Sequence, residues 1–322
     1  MPASWKSLLS RIRQDHRSGA STLLAQAIEA SRQFLLTSRD LSPSQFFVAL
    51  GRFTRQLTSS QPSMAPFLTL ANALWRGLEG RPRRTSPWEA LHGALVQYAD
   101  DLDRGLIETS KSAARLVRSG SLVLTYSHST AVRLALWRAV AEGKRFEVAC
   151  AESRPMNEGV ALARALAQRG VSVHLVVDAA LYGWLGRATQ VLVGADAVMA
   201  TGIVNKVGTR PLLEAGRRAG IPAYVLADST KWLPPGLDRF WRVRDESPGE
   251  VTTVRHPNLR IENRYFDTSP LSLASGLVSE GGVSRPASIR ERIRRSRASA
   301  RLVRVLSGST PDGEARPRAS LP

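Results

Sequence analysis

The stretch VLVGADAVMATGIVNKVGTRP, residues 191–211, decides the fold of this chain. It begins with an uninterrupted apolar run, as in a strand buried on both faces, and ends in a sequence that predicts the start of a helix. Between these two parts lie the carboxylate of Asp196, the glycines Gly194 and Gly202, and the pair Asn205–Lys206. A buried strand that leads into these residues predicts a pocket for a small phosphorylated ligand beside a parallel sheet.

The same alternation of short apolar runs and helices extends over residues 119–284. The predicted strands are SLVLTYS (121–127), RFEVACAE (145–152), VSVHLVVD (171–178), TQVLVGAD (189–196) and PAYVLAD (222–228). Helical segments that end in glycine, such as MNEGVALARALAQRG, separate the strands. Since parallel strands require such crossovers, we predict a Rossmann-like, doubly wound α/β domain.

Residues 1–118 are predicted to form a helical N-terminal domain. The segments TLLAQAIEASRQFLL, SPSQFFVALGRFTRQL and MAPFLTLANALWRGL place apolar residues three and four positions apart. Ser42 is predicted to cap the second of these helices, with Pro43 at its first helical position. A long amphipathic stretch that begins at Ser86 is predicted to connect this domain to the α/β domain.

The composition is strongly basic, with a net charge of +18. Nearly all of the basic residues are arginine, which indicates either binding to a polyanion or the codon usage of a GC-rich genome. Much of the excess lies in residues 285–322, which we predict to be a basic tail whose last part, SGSTPDGEARPRASLP, is disordered. Its segment SIRERIRRSRASARLVRVL forms either a basic helix or an arm that contacts nucleic acid, an acidic partner or nothing.

Several classes of protein are excluded by the sequence. No apolar run is long enough to span a membrane and the N-terminal stretch is unlike a secretory signal, so we expect a cytoplasmic chain without membrane contact. The single cysteine, Cys150, excludes an intrachain disulfide and a multi-cysteine metal site. The sequence lacks the glycine-rich dinucleotide and P-loop motifs, and we expect neither a metal nor a cofactor.

All five predicted strands end in polar residues, and these ends share one edge of a parallel sheet. The residues at this edge are Ser127, His128, Ser129, Glu152, Arg154, Asp178, Asp196, Asp228 and Lys231. Asn205–Lys206 is expected at a helix start, where free N–H groups and the helix dipole favour an anion. The alternative is an ordinary N-cap asparagine followed by a solvated lysine.

Three blocks of the sequence resemble one superfamily: ESRPMNEGVALARAL, VGADAVMATGIVNKVGTRPLLEAGRRAGIPAYVLADSTKW and ENRYFDTSPLSLASGLVSEGG. It contains the alpha, beta and delta subunits of translation initiation factor 2B, methylthioribose-1-phosphate isomerase and ribose-1,5-bisphosphate isomerase. DHRSGAST, residues 15–22, resembles an N-terminal segment that contributes to the phosphate pocket in this family. The resemblance implies a helical N-terminal domain, a Rossmann-like domain, and a dimer or hexamer.

The resemblance also implies roles for individual residues. The isomerases convert an aldose 1-phosphate to a ketose with a cysteine and an aspartate, and the aspartate corresponds to Asp196. The phosphate-binding pair corresponds to Asn205–Lys206, and Gly19, Ser129, Gly194, Glu152 and Arg154 complete the expected ligand-binding set. The cysteine should lie after the first strand, where isomerases look like THC. Here the sequence is TYSHST, with Ser127 at that position.

Two functions remain open from the sequence. Serine is a far weaker proton donor than a thiol, whose unperturbed pKa is about 8.5. The first hypothesis is therefore a regulatory, non-catalytic subunit that binds a sugar phosphate or a nucleotide. The second is an aldose–ketose isomerase in which His128 or Cys150 replaces the missing cysteine as the partner of Asp196. Glu152 and Arg154 either orient a substrate or pair with each other across two loops.

Overall fold

The computed structural model describes residues 4–15, 20–82 and 84–308. Its helices are α1 (Trp5–Gln14), α2 (Ala20–Thr37), α3 (Pro43–Ser60), α4 (Ala65–Glu79), α5 (Pro87–Ala114), α6 (Thr130–Ala141), α7 (Glu158–Ala167), α8 (Thr209–Arg218), α9 (Pro286–Arg295) and α10 (Ala300–Leu306). Its strands are β1 (Leu122–Thr125), β2 (Glu147–Ala151), β3 (Ser172–Val176), β4 (Gln190–Gly194), β5 (Ala197–Met199), β6 (Gly202–Lys206), β7 (Ala223–Leu226), β8 (Phe266–Ser269), β9 (Gly276–Ser279) and β10 (Gly282–Ser284). The predicted order of helices followed by an α/β region is confirmed.

The N-terminal helices begin where the sequence places caps. Ser42 accepts a hydrogen bond from the backbone of Gln45, whose side chain in turn bonds the Ser42 backbone, and Pro43 opens α3. Ser86 and Glu89 form the same reciprocal pair at the start of α5. The resulting 28-residue helix α5 is the predicted connecting helix and runs from the helical region to the first strand.

Large aromatic side chains fill the core between the N-terminal helices. Phe34 stacks on Phe53 with ring centroids 4.6 Å apart, and the Trp5 ring meets Phe53 edge-on at 5.4 Å. Trp75 is fully buried, and its indole N–H donates to Thr54 Oγ1 at 3.2 Å. The indole therefore contributes apolar burial without leaving a polar group unsatisfied.

The main sheet has the strand order β10-β9-β7-β4-β1-β2-β3 in the part of the chain described. The five strands predicted from sequence are parallel neighbours in it, which confirms the doubly wound arrangement. Strand β9 adds a further parallel strand beside β7, and β10 pairs with β9 in an antiparallel hairpin. Both of these strands are too short for a periodic apolar pattern to predict.

A small antiparallel sheet, β5-β6-β8, interrupts the stretch 191–211. Asn205–Lys206 was expected at a helix start, and that prediction was wrong because the pair ends strand β6. Helix α8 begins three residues later, after Gly208, whose φ of 103° requires glycine. Only Ile203 and Val204 of GIVNK are apolar, so no strand pattern marks the run, and its pairing with β8 could not be inferred locally.

Residues 285–308, predicted as part of a basic tail, pack against the rest of the chain. Ile289 and Ile293 of α9 and Leu302 and Val305 of α10 are buried, since their spacing puts them on one helix face. The backbone N–H of Ser299 also donates to Asn72 Oδ1 at 2.7 Å. The boundary at residue 284 is therefore not where the packed chain ends; residues 309–322 lie outside the described part.

Gly159→Ala should destabilise the fold. An added Cβ at Gly159, in the first turn of α7, would overlap the carbonyl oxygen of Ala151 at the end of β2. We expect the free energy of unfolding to fall by roughly 2 kcal/mol or more in a urea titration. The matched control is Gly93→Ala at an exposed position of α5, where an added Cβ would have no neighbouring atom within 4 Å. That change should stabilise by about 0.5–1 kcal/mol, and equal effects at both sites would contradict the packing account.

Candidate functional site

A cavity of about 930 Å³ lies at the carboxyl edge of the main sheet, which is the place predicted for a ligand. Its walls come from the loop after β1, the start of α7, the ends of β4 and β6, and helices α2 and α5. Its polar and ionisable lining residues include His128, Ser127, Glu158, Asp196, Asn205, Lys206, Asp228 and Lys231. Its volume suits a ligand of metabolite size.

Asp196 lies between β4 and β5, two residues after the end of β4, where three parts of the chain meet. Its backbone N–H donates to Val204 O of β6 at 2.8 Å, and its carbonyl accepts from Ala65 N of α4 at 3.3 Å. Burial raises the pKa of the carboxyl to about 6, while the cations Lys231 and Lys206 limit that rise and Glu158 adds to it. Asp196 therefore exchanges a proton close to neutral pH.

Lys206 is almost completely buried and is held by a carboxylate. Its Nζ lies 2.7 Å from Glu158 Oε1, and its side chain is 4% exposed. The ammonium also sits over the Tyr265 ring, 4.7 Å from the ring centre. The other carboxylate oxygen of Glu158 is buried and has no hydrogen-bond partner among the described residues. A ligand group entering here meets a cation and an unsatisfied acceptor together.

Lys231 is the second ammonium that acts on Asp196. It follows β7, and within the described ranges no ion pair or hydrogen bond engages its Nζ. The neighbouring Asp228 is instead occupied by Thr230, which donates to it from both its backbone N–H and its hydroxyl. Lys231 therefore has its charge available for an anionic ligand in the cavity.

The loop after β1 brings Ser127, His128 and Ser129 into the cavity. Ser127 has a φ of 63°, and its backbone N–H donates to Ser153 Oγ at 2.8 Å, which fixes this left-handed turn. Burial and the Arg133 cation lower the pKa of His128, so its imidazole is neutral at pH 7. Ser129 caps α6, and a Cβ on Gly194 would come within 2.5 Å of its Oγ, so glycine allows the two loops to meet.

The N-terminus of α8 already holds an anion from the chain itself. Asp267 Oδ2 accepts the backbone N–H groups of Gly208 at 2.9 Å and of Arg210 at 3.2 Å. Asn205 lines the cavity, with its amide donating to Thr209 Oγ1 at 2.9 Å. The predicted phosphate site at this helix dipole is therefore replaced by an internal carboxylate cap.

Comparison with known proteins places the chain among the members of one family. The sequence profile of the Initiation factor 2 subunit family matches residues 15–286. The chain belongs to this family. It is 32% identical over 282 residues to a ribose 1,5-bisphosphate isomerase of Haloferax volcanii, covering 84% of this chain and 85% of the relative. It is 28% identical to an eIF-2B subunit 2-like protein of Pyrococcus furiosus, covering 89% and 98%.

Solved structures of this family share the fold. The structure of translation initiation factor eIF-2B from Pyrococcus horikoshii superposes with a TM-score of 0.74 at 27% identity, covering 89% of this chain and 99% of that one. That of 5-methylthioribose 1-phosphate isomerase from the same organism gives 0.69 at 20% identity, covering 90% and 87%. The family thus contains both initiation-factor subunits and sugar-phosphate isomerases. Among the described helices, none has the length and apolar content needed to cross a bilayer.

Some residues predicted for the family site lie elsewhere. Cys150 is fully buried in β2 among core side chains, and burial raises the pKa of its thiol to about 12, so it cannot serve the cavity. Arg154 is exposed and donates to the carbonyls of Glu250 and Val251, and the predicted Glu152–Arg154 ion pair is absent from the described contacts. Neither Glu152 nor Arg154 lines the cavity. Gly19 lies outside the described residues.

Glu158 and Tyr265 were missed by sequence reasoning. Glu158 follows Asn157, whose left-handed backbone (φ of 56°) turns the chain into α7 and aims the carboxylate at Lys206. Tyr265 precedes β8, and its hydroxyl donates to Glu250 Oε2 at 2.6 Å. Only the family block ESRPMNEG contained a signal for Glu158, because an acid in the first turn of a helix is otherwise expected as a dipole partner.

Asp196→Asn should stabilise the folded chain at neutral pH. The folded chain keeps the Asp196 proton up to about pH 6, whereas the unfolded chain loses it near 3.8. The unfolding free energy of the parent therefore falls as pH rises between these values and stays lower above them, by roughly 3 kcal/mol at most. Asparagine removes this loss, so the variant should gain stability at pH 7.5 and none near pH 4.

Urea titrations at both pH values, with Asp103→Asn as a control at an exposed cavity residue, measure this difference. A stability gain for Asp196→Asn that is the same at both pH values would contradict the raised pKa.

Proposed function

We propose that this chain is an aldose–ketose isomerase acting on a phosphorylated pentose such as ribose 1,5-bisphosphate or methylthioribose 1-phosphate. The observation that carries the proposal is Asp196, an acid with a pKa near 6 in a metabolite-sized cavity beside Lys206 and Lys231. The relatives named for these reactions align with this chain over most of their own length, which supports the same reaction class here.

The reaction needs one acid and one base around the first two sugar carbons. In a sugar 1-phosphate, a base takes the proton from C2, and the electron pair of the C2–H bond forms the C1=C2 double bond. The bond between C1 and the ring oxygen breaks at the same time, and an acid protonates the ring oxygen. The 2-hydroxyl then loses its proton as C2=O forms, and C1 gains one. Atoms and electrons balance without an external reductant or cofactor.

Asp196 and neutral His128 supply these two groups in the proposal. Protonated Asp196 donates to the ring oxygen, which its pKa near 6 permits close to neutral pH. His128 has a lowered pKa and is therefore neutral, so it accepts the C2 proton. Ser127, at the position of the family cysteine, places a hydroxyl on the same wall of the cavity. Lys206 and Lys231 stabilise charge on the substrate oxygens.

A regulatory, ligand-binding role is the second candidate. One observation favours it: the thiol expected after β1 is replaced by Ser127, and the chain's single cysteine is buried away from the cavity. In that case the same residues bind a sugar phosphate or a nucleotide without turning it over. Assembly into a dimer or hexamer, in a cytoplasmic setting, is proposed for either role.

Proton NMR of the purified chain with each of the two pentose phosphates tests the proposal. We expect ketose to accumulate with the parent chain. Both Asp196→Asn and His128→Gln should slow turnover by roughly a hundredfold or more, while the NMR resonances of the ligand still broaden because it binds. Broadening without ketose in the parent would favour the regulatory role. Full activity of Asp196→Asn would contradict the mechanism.

Lys206→Ala should weaken binding of a phosphorylated pentose by roughly tenfold, the loss of one charge-assisted contact. Because this change leaves Glu158 unpaired, the double variant Lys206→Ala/Glu158→Gln separates the lost cation from the exposed anion. Lys144→Ala is the control, since that lysine bonds Glu142 and the carbonyl of Ala114, outside the cavity. Calorimetric titration that gives the same affinity for all the variants would contradict a role for Lys206.

A further inference from the structure

Three helices outside the cavity contain basic residues and no acidic ones. Helices α1, α3 and α10 have no aspartate or glutamate in their sequences. Their basic residues are Lys6, Arg11, Arg13, Arg52, Arg55, Arg301 and Arg304. The long helix α5, by contrast, mixes Arg104 and Lys111 with several acids and pairs both cations with them. High arginine content alone therefore does not explain the missing acids.

These helices are joined in one part of the surface. Arg13 at the end of α1 donates to Ser59 of α3 at 3.1 Å. Arg55 of α3 donates to the carbonyl of Val305 in α10 at 2.8 Å. Arg11, Arg13, Arg52 and Arg304 are all exposed, and we call these four residues the arginine surface.

Two arginines in the segment between β7 and β8 extend this positive region. Arg239 donates to Ser307 Oγ, just beyond α10, at 3.3 Å. The backbone N–H of Arg242 donates to the carbonyl of Pro62, just beyond α3, at 3.1 Å. Both arginines are exposed. The nearby Asp238 carboxylate is engaged by the backbone N–H groups of Gly236 and Arg239 rather than by a guanidinium.

We propose that the arginine surface binds the phosphate backbone of a nucleic acid. Guanidinium groups match phosphate geometry, and Arg11, Arg52 and Arg304 pair with no carboxylate among the described contacts, so their charge is available to a polyanion. Helix α3, with 18 residues, is about 27 Å long, which corresponds to roughly eight phosphates along one strand of a duplex.

The other exposed residues on these helices favour nucleic acid over an acidic protein. They are mostly hydrogen-bond donors such as Ser44, Gln45, Gln56 and Ser59, which suit phosphate and sugar contacts. A protein interface usually requires buried aromatic or aliphatic anchors, and only Val48 offers an exposed large apolar side chain among the described residues of these helices. Phe47 is covered by the Arg301 guanidinium at 5.1 Å. Without exposed rings to stack on bases, binding should show little sequence preference.

Fluorescence anisotropy of the full-length chain with labelled RNA and duplex DNA of about 20 nucleotides tests the proposal. We expect binding that weakens steeply between about 50 and 200 mM salt. Arg11→Ala/Arg52→Ala/Arg304→Ala should weaken it at least tenfold and lower the slope of log affinity against log salt by roughly 2 to 3. These three arginines have no partner among the described contacts, so the fold should be retained, as a thermal melt will check.

Two control variants locate the effect. Arg115→Ala/Arg218→Ala/Arg255→Ala removes the same charge from exposed positions elsewhere and should change affinity by less than about threefold. Arg316→Ala/Arg318→Ala, in residues outside the described part, should also have little effect. Equal losses in all three variants would mean that net charge alone drives binding and would overturn the proposal. So would no binding at low salt, or equal competition by polyglutamate, which would identify an acidic protein as the partner.

Discussion

The backbone of Asp196 joins the three layers of this protein. The residue lies just after the central strand β4, its N–H donates to Val204 of the small sheet, and its carbonyl accepts from Ala65 at the start of α4. Because these bonds fix the main chain on both sides, the carboxylate has a defined position under the N-terminal helices.

Burial and the lysine charges around Asp196 have opposite effects on the pKa of its carboxyl. Burial alone favours the neutral acid, and the two nearby lysines oppose it, which leaves the pKa close to 6. Glu158 neutralises Lys206 in the ligand-free chain, at 2.7 Å. An incoming anion therefore competes with Glu158 at Lys206 but meets an available cation at Lys231.

The sequence predicted the parallel sheet well, because buried parallel strands are apolar throughout and their helices end in glycine. It also predicted that polar strand ends share one edge of the sheet, and Ser127, His128 and Asp196 do line one cavity there, whereas Glu152 and Arg154 do not. It failed at Asn205–Lys206, which end strand β6 instead of starting a helix. Strand β6 pairs with β8, about 60 residues later in the chain, and such distant pairing leaves no local pattern in the sequence. For residues 288–306 the sequence left a basic helix and an arm open, because their few apolar residues do not show that they are buried in α9 and α10.

The most direct test of this account is the titration of the Asp196 carboxyl in the ligand-free chain. With aspartate labelled by carbon-13 at the carboxyl carbon, NMR spectra over a range of pH identify its resonance as the one that disappears in Asp196→Asn. The account predicts a midpoint near pH 6, as burial against the two lysines requires. A midpoint at or below the ordinary aspartate value of about 3.9 would show a solvated or strongly paired carboxylate, and would contradict Asp196 as the proton donor.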